Sequence, residues 1–372
     1  MPAISLCMIV RNEEKNIRRC LDSVKNHVDE MVIVDTGSTD RTKAICREYG
    51  ARIFDFKWKG DFAEARNFSL KKAQGDGVLW LDADEAADMV DFPSLRTCLN
   101  GEGSPLILIP MLHFYGKEPA DENRVYLSSF PRLIRNGAGI RFTGKIHEHL
   151  VSDTSSLSLP AEVNRSMRIL HYGYMESAWK HKCNRNLELL LREKSEQPNN
   201  AWLDYHLAAE YHRSGKCGEA FQSVNRSIVG FLRKNLLPPP LVYKLKYDIL
   251  ITNGNYAAAH AGIEKAVSLY PDYVDLRFYQ GMAQFALGEY GKAEQTFSHC
   301  LVMGESNPEY LILKGTGSFF SLYCLSLCYE KQGKSKEAEE AFRQAKELNP
   351  DPDFSVLGIL NLVGGKDRST AS

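Results

Sequence analysis

Short apolar runs alternate with amphipathic segments along the N-terminal half of the chain. The apolar runs have the length of buried strands and cover residues 4–10, 31–34, 51–56 and 78–81. Apolar residues between them recur at helical spacing, which predicts helices at about 17–24, 39–46 and 62–73. This alternation predicts an α/β domain with a mostly parallel, Rossmann-like sheet and helices on both faces.

The C-terminal half repeats one spacing of glycine and alanine. Four glycines each precede an alanine by the same interval, in the pairs Gly215/Ala220, Gly254/Ala259, Gly288/Ala293 and Gly333/Ala338. Gly254 and Gly288 are separated by the tetratricopeptide period of about 34 residues. The longer neighbouring intervals place extra residues in loops at 234–240 and 304–308. We therefore predict an all-α solenoid of helical hairpins, which would hold a peptide or a partner subunit or would only support the rest of the chain.

The net charge and the composition argue against a nucleic-acid-binding protein, a zinc-binding protein and an integral membrane protein. The formal net charge is −1, whereas a nucleic-acid-binding protein usually carries a strong basic excess. The nine cysteines form no Cys-x-x-Cys pair, so we expect reduced thiols and no zinc site. The apolar runs are shorter than an integral membrane segment, and the first of them lacks a basic lead. We expect a cytoplasmic protein.

Acidic and amide side chains follow three of the predicted strands. Asn12 and Glu13 follow the first strand, Asp35 follows the second, and Asp82 and Asp84 follow the fourth. Ligands of open α/β sheets bind beyond the carboxyl ends of the strands. Two carboxylates at one strand end can hold a hard divalent cation, which neutralises a diphosphate. An Asp-x-Asp triplet also occurs in ordinary acidic loops, so its position directly after an apolar strand is what favours a site.

A set of motifs, taken in order, resembles those of the family 2 glycosyltransferases. The motifs lie at residues 9–13, 34–40, 61–67, 81–84, 142–148 and 171–174. Together with the repeats, they resemble bacterial enzymes that glycosylate peptides or proteins, including the S-glycosyltransferases of glycosylated bacteriocins. The resemblance implies a GT-A fold. The predicted organisation is a GT-A catalytic domain at 1–178, a helical linker at 179–200 and a tetratricopeptide-repeat domain at 201–365.

The resemblance also implies roles for individual residues in donor binding. Contacts with a nucleotide-sugar donor are implied for Val10, Asn12, Glu13, Asp35, Ser38, Arg66 and Asp82. Asp35 would bind the base, and Arg66 would lie near the diphosphate. A divalent cation, Mn²⁺ or Mg²⁺, is implied at Asp84 and His171, with Asp82 toward the ribose or the metal.

Two neighbouring residues are implied in the chemistry of transfer. Glu148 corresponds to the catalytic base, and His147 would orient the acceptor or Glu148. A lone histidine is usually structural, and this is the expectation for His113, His149 and His181.

The implied reaction is inverting transfer from a UDP-sugar, with UDP-glucose and UDP-N-acetylglucosamine as the favoured donors. The acceptor would be a Ser, Thr or Cys side chain of a protein or peptide, and the repeats would hold this acceptor or form a homodimer. One alternative is transfer to a lipopolysaccharide or other cell-surface glycan precursor, because such enzymes carry a similar His-Glu pair. Another is a repeat adaptor with an inactive transferase domain, against which the intact set of Asp82, Asp84, Glu148 and His171 argues.

Overall fold

The chain forms two compact units in the computed structural model, which describes residues 1–88, 91–100, 103–152 and 161–357. The first unit comprises Met1–Ala120 and Ser128–Leu189, and the second comprises Asp121–Leu127 and Leu190–Ser372. The predicted boundaries at 178 and 200 lie on either side of the change of unit after Leu189 and stay a prediction. The side chain of His181 lies outside the described part of the chain.

The first unit is a mixed α/β domain. Its strands are β1 (Ile4–Val10), β2 (Glu30–Asp35), β3 (Arg52–Asp55), β4 (Gly77–Trp80), β5 (Glu85–Asp88), β6 (Leu106–Gly116), β7 (Val125–Arg135), β8 (Ile140–Thr143), β9 (His149–Ser152), β10 (Ala161–Val163) and β11 (Arg168–Met175). Its helices are α1 (Ile17–Val24), α2 (Thr42–Glu48), α3 (Phe62–Leu70), α4 (Phe92–Thr97) and α5 (Glu176–Glu196), the last of which continues into the second unit.

The sheet has the order β3-β2-β1-β4-β7-β6-β11-β5. Strands β3, β2, β1 and β4 run parallel to one another, which confirms the predicted α/β fold class. The later strands make the sheet mixed, since β7 runs antiparallel to β4 and β5 antiparallel to β11. Strands β8 and β9 form a separate two-stranded hairpin.

Both faces of β1 are buried, which explains its unbroken apolar sequence. Leu6 and Met8 point to the face where Leu21 of α1 belongs to the same apolar cluster. Cys7 points to the opposite face and packs in a second cluster with Leu70 of α3. The alternation follows from the two-residue period of a strand. The helix predicted at 62–73 begins as expected but ends at Leu70.

The second unit consists of helical hairpins, as the glycine and alanine spacing predicted. Its helices are α6 (Ala201–Arg213), α7 (Cys217–Leu232), α8 (Pro240–Thr252), α9 (Tyr256–Leu269), α10 (Val274–Ala286), α11 (Tyr290–Met303), α12 (Phe319–Lys331) and α13 (Ser335–Leu348), followed by a 3₁₀ turn at Phe354–Leu357. The four glycines of the repeat lie between the paired helices, all with positive φ: Gly215, Gly254, Gly288 and Gly333. The four alanines are buried at the helix contacts.

A segment from the middle of the chain completes the second unit. Residues 121–127 precede Ser128, where the chain returns to the first unit. Tyr126 and Leu127 pair antiparallel with β12 (Ile312–Leu313) in the loop between α11 and α12. Beneath this pairing, the buried carboxylate of Asp275 accepts hydrogen bonds from Lys244, the backbone N–H of Leu313 and the hydroxyl of Thr316. The sequence pattern does not predict that residues 121–127 belong to the second unit.

Among the described residues, none of the helices combines the length and the apolarity that a membrane crossing requires.

The packing of α10 against α11 gives a test of the repeat unit. A Cβ on Gly281 would lie 2.8 Å from the ring of Phe297, which is fully buried. We expect Gly281→Ala to lower the free energy of unfolding of the repeat unit by about 1–3 kcal/mol, because the ring has nowhere to move. Gly291 on α11 is exposed and has open space at its Cβ. Gly291→Ala should instead raise that free energy by about 0.5–1 kcal/mol. Urea denaturation followed by circular dichroism would measure both, and equal effects would contradict the packing argument.

Candidate active site

Asp35 at the end of β2 carries a buried carboxylate with one oxygen free of hydrogen bonds. The residue is 1% exposed. Its Oδ1 accepts hydrogen bonds from the N–H groups of Gly37 at 3.0 Å and Ser38 at 2.9 Å. Its Oδ2 is buried without a partner. A buried carboxylate oxygen is costly to leave unpaired, so this atom is suited to an N–H donor on a ligand.

The other residues predicted near the nucleotide form the loops around Asp35. Asn12 adopts a left-handed backbone conformation, with φ of 55°. Its backbone N–H donates to Ser38 Oγ at 3.0 Å, and its side-chain oxygen accepts from the N–H of Thr39 at 2.8 Å. The carbonyl of Val10 accepts from the N–H of Thr36. These contacts tie the end of β1 to the loop after β2.

Glu13 is held in the same way, because its backbone N–H donates to Thr42 Oγ1 at 2.7 Å. Five of the residues predicted to contact the donor therefore lie together after β1 and β2, and their role in donor binding stays a prediction: Val10, Asn12, Glu13, Asp35 and Ser38.

Arg66 connects two predicted site residues that are distant in sequence. Its guanidinium is buried and bonds Asp82 Oδ1 through Nη2 at 2.8 Å and Glu148 Oε1 through Nε. Burial alone would lower the pKa of Arg66, but the carboxylates of Asp82 and Glu148 raise it. The guanidinium thus stays charged. Partial desolvation would likewise raise the pKa of Asp82, but Arg66 and Arg132 hold it low.

Arg132 on β7 adds a second buried guanidinium to this site. Its Nη2 bonds Glu85 Oε1 at 2.5 Å, and its Nη1 lies 4.0 Å from Asp82 Oδ2. The guanidinium carbons of Arg132 and Arg66 lie 3.8 Å and 4.5 Å from the ring centroid of Trp80. Burial, together with the nearby carboxylates of Asp82 and Asp84, raises the pKa of Glu85 against the opposing effect of Arg132.

Asp84 and His171 face one another, whereas Asp82 turns toward the arginines. His171 Nε2 lies 3.9 Å from Asp84 Oδ1. A Cβ on Gly173 would overlap His171 Nε2 and lie 2.6 Å from Asp84 Oδ2, so the glycine keeps this space open. In the described part of the chain, no group of three His, Cys, Asp or Glu side chains converges closely enough to hold a metal ion. Of the three predicted metal ligands, Asp84 and His171 lie close together, whereas Asp82 bonds Arg66.

Helix α3 holds the loop that carries His147 and Glu148. The side chain of Asn67 donates to the carbonyl of Phe142 at 2.9 Å and accepts from the N–H of the same residue at 2.8 Å. The N–H of Phe62 donates to the carbonyl of Lys145 at 2.9 Å. His147 has a left-handed backbone, with φ of 53°, and the next residue, Glu148, is thereby turned toward Arg66.

His113, which was expected to be structural, contacts a predicted site residue. It lies on β6 opposite His171 on β11, and the two Nδ1 atoms are 2.8 Å apart. Its Nε2 lies 2.8 Å from Ser128 Oγ. Burial, with smaller effects of His171 and Arg132, holds the pKa of His113 well below its usual value.

Four residues of the site were not predicted as site residues from the sequence: Glu85, His113, Ser128 and Arg132. Two of these carried a signal that could have been used. His113 interrupts the apolar strand β6, Arg132 directly precedes the buried residues Leu133 and Ile134 of β7, and a buried polar side chain needs a partner.

These features define a GT-A-type transferase domain followed by tetratricopeptide repeats. The sequence profile of glycosyl transferase family 2 matches residues 5–117, and tetratricopeptide-repeat profiles match residues 248–308 and 319–352. The chain belongs to the family 2 glycosyltransferases that carry C-terminal tetratricopeptide repeats.

Two curated relatives extend across both parts of the chain. A tetratricopeptide-repeat-containing protein of Synechococcus elongatus is 31% identical over 74% of this chain and 68% of its own length. The SPbeta prophage-derived glycosyltransferase SunS of Bacillus subtilis is 28% identical over 75% of this chain and 66% of its own length. The chain thus spans about two thirds of the length of these relatives.

One solved structure with partial similarity is glucosyl-3-phosphoglycerate synthase from Mycobacterium tuberculosis. It is 27% identical and covers 32% of this chain and 45% of that chain, with a TM-score of 0.25. A TM-score this low does not define a shared fold.

The position of Arg66 between two carboxylates predicts that its substitution lowers the stability of the fold strongly. We expect Arg66→Met to lower the free energy of unfolding by about 3–5 kcal/mol, because Asp82 and Glu148 lose their shared buried cation. Arg18 forms a comparable ion pair with Glu48, but half of its side chain is exposed. Arg18→Met should therefore leave the unfolding transition almost unchanged. Urea denaturation of the full chain would measure both variants. Equal small effects would show that the Arg66 pairs add little to stability.

Proposed function

We propose that the chain is an inverting, metal-dependent glycosyltransferase that moves a sugar from a nucleotide-diphosphate sugar to a protein or peptide. UDP-glucose and UDP-N-acetylglucosamine are the donors we favour, and a Ser, Thr or Cys side chain is the acceptor. The observation that carries this proposal is the junction at Arg66, where one buried guanidinium holds both the strand-end acid Asp82 and the candidate base Glu148.

Asp35 supports binding of a nucleotide base. Its Oδ2 is a buried acceptor without a partner, and a uracil ring offers an N–H donor of the matching kind. Asn12 and Ser38 hold the adjacent loops in place through their hydrogen bonds. In this proposal they order the loops around the base, while Asp35 provides the hydrogen bond that recognises it.

The donor atoms at Asp84 and His171 suit a divalent cation. Carboxylate oxygen and imidazole nitrogen are both ligands for Mn²⁺, and Gly173 keeps the space between them open. The site also holds three carboxylates, those of Asp82, Asp84 and Glu148, against the guanidinium groups of Arg66 and Arg132, because the raised pKa of Glu85 favours its neutral form. When bound there, a divalent cation would offset this excess and neutralise charge on the diphosphate.

Glu148 is the candidate for the catalytic base. It would accept the proton of the acceptor hydroxyl or thiol as that oxygen or sulfur bonds to the anomeric carbon. The bond from the anomeric carbon to the diphosphate oxygen breaks in the same displacement, and its electron pair leaves with the nucleoside diphosphate. A single displacement inverts the configuration. Arg66 and the loop held by Asn67 fix the position of the carboxylate before the acceptor arrives.

The helical hairpins support a protein or peptide as the acceptor. Solenoids of this kind present an extended surface that commonly holds a peptide or a partner subunit. We propose that the repeats hold the acceptor, or a second copy of the chain, and we keep the cytoplasm as the expected location. Because Tyr126 and Leu127 pair with β12, removal of the repeats would also remove the partner strand of this segment. Tests of the repeats are therefore best made on the full chain.

The first test concerns the cation. Donor turnover, measured as release of nucleoside diphosphate, should require Mn²⁺ or Mg²⁺ and stop in EDTA. Asp84→Asn should abolish turnover, because one candidate ligand loses its charge. Asp22→Asn changes an exposed carboxylate on α1, which pairs with Lys25, and should leave turnover unchanged. Full activity of the wild-type protein in EDTA would move the chain to the metal-free transferases.

The second test concerns the base. Glu148→Gln keeps the shape of the side chain and an oxygen for Arg66, so the protein should stay folded and bind the nucleotide sugar with unchanged affinity. Transfer of labelled sugar should fall by about 10²–10⁴-fold. Glu48→Gln, at an exposed ion pair, serves as the matched control. Calorimetry would report donor binding and filter-bound label would report transfer. A wild-type rate in Glu148→Gln would make another group the base, with His147 the next to be substituted.

A further inference from the structure

Three polar side chains, those of Ser128, His113 and His171, form a row that ends at the candidate cation site. Ser128 Oγ lies 2.8 Å from His113 Nε2, and His113 Nδ1 lies 2.8 Å from His171 Nδ1. At the other end of the row, His171 Nε2 faces Asp84 Oδ1 at 3.9 Å. The parallel register of β6 and β11 places His113 and His171 directly opposite one another. The proposed reaction gives no role to His113 or Ser128.

Two neutral imidazole nitrogens at hydrogen-bonding distance share one hydrogen, so the pair has two arrangements. If His113 donates from Nδ1, then His171 carries its own hydrogen on Nε2 and cannot bind a cation there. If His171 donates from Nδ1, its Nε2 presents a lone pair on the side of Asp84. His113 then carries its hydrogen on Nε2 and donates to Ser128, whose hydroxyl can accept or donate.

We propose that His113 is a positioning residue: by accepting the Nδ1 hydrogen of His171, it fixes the tautomer that offers His171 Nε2 to a divalent cation shared with Asp84. This inference rests on the proposed function, because it requires a cation at Asp84 and His171. A metal-binding histidine generally donates its second ring N–H to a neighbour, which orients the ring and fixes its tautomer. Here the acceptor is a second histidine.

The surroundings of the two rings fit a positioning role. His113 is 5% exposed, so water cannot easily replace it as the acceptor. The ring of Tyr174 packs 4.9 Å from the ring of His171 and 5.8 Å from that of His113, and Phe130 packs against His113 on its edge. Both rings are thereby held in orientation. The open space beside Gly173 lies at the cation end of the row.

Binding of Mn²⁺ to the full chain in the presence of UDP, followed by electron paramagnetic resonance, tests the proposal without any measurement of activity. His113→Phe keeps a flat ring and removes the acceptor, and it should weaken Mn²⁺ binding by about 10–100-fold. His113→Asn can place its side-chain oxygen where Nδ1 was and should restore most of the affinity. Equal losses in His113→Phe and His113→Asn, or wild-type affinity in His113→Phe, would overturn the proposal.

The tautomer itself can be observed in the wild-type protein, which covers the case in which His113→Phe does not fold. Long-range ¹H–¹⁵N spectra of ¹⁵N-histidine protein with UDP and Mg²⁺ should show His171 with its hydrogen on Nδ1, assigned by the signal lost in His171→Gln. A hydrogen on Nε2 in the presence of Mg²⁺ would overturn the inference alone. Absence of Mn²⁺ binding by the wild-type protein would overturn the proposed cation site and, with it, this inference.

Discussion

The candidate active site depends on one buried guanidinium. Arg66 of α3 holds Asp82 after β4 and Glu148 in the β8–β9 loop, so three elements meet at a single side chain. The planar guanidinium presents its donors in a fixed fork, so it sets the directions of both carboxylates, which the rotatable ammonium of a lysine would not do. The Trp80 ring and the clasp of Asn67 on Phe142 restrict the same junction further. The distance between the strand-end acids and the candidate base is thus set by the packing of α3.

The acids around this junction give the candidate site an excess of negative charge, which bears on how it could bind a diphosphate. Four acids lie close to two guanidinium groups, and burial, together with the carboxylates of Asp82 and Asp84, raises the pKa of Glu85 and favours its neutral form. An acidic site of this kind would repel a diphosphate. In the proposed function, a divalent cation at Asp84 and His171 would offset these carboxylates and attract the phosphates. The charge balance of the site is thus a second argument for the proposed cation, beside the Asp-x-Asp pattern.

The second unit repeats one type of helical hairpin, and a long loop interrupts the repeat. Each hairpin turns at a glycine with positive φ and closes on a buried alanine, as Gly288 and Ala293 do. The long loop lies between α11 and α12, pairs with Tyr126 and Leu127, and is anchored at Asp275. The buried carboxylate of Asp275 has its hydrogen-bond donors in place, so the inserted loop is an integral part of the packing of the unit.

The sequence by itself determined the elements and the strand-end acids of the candidate site. Strands buried on both faces must be apolar, helices with one buried face must be periodic, and left-handed turns favour glycine, so each of these features is readable locally. Strand ends on one sheet edge also allowed Asp35, Asp82 and Asp84 to be grouped. Tertiary structure alone decided the partners: that Asp82 turns to Arg66, that His113 meets His171, and that residues 121–127 join the second unit. These contacts join residues far apart in sequence, and strand register and helix packing set their distances, which no local pattern encodes.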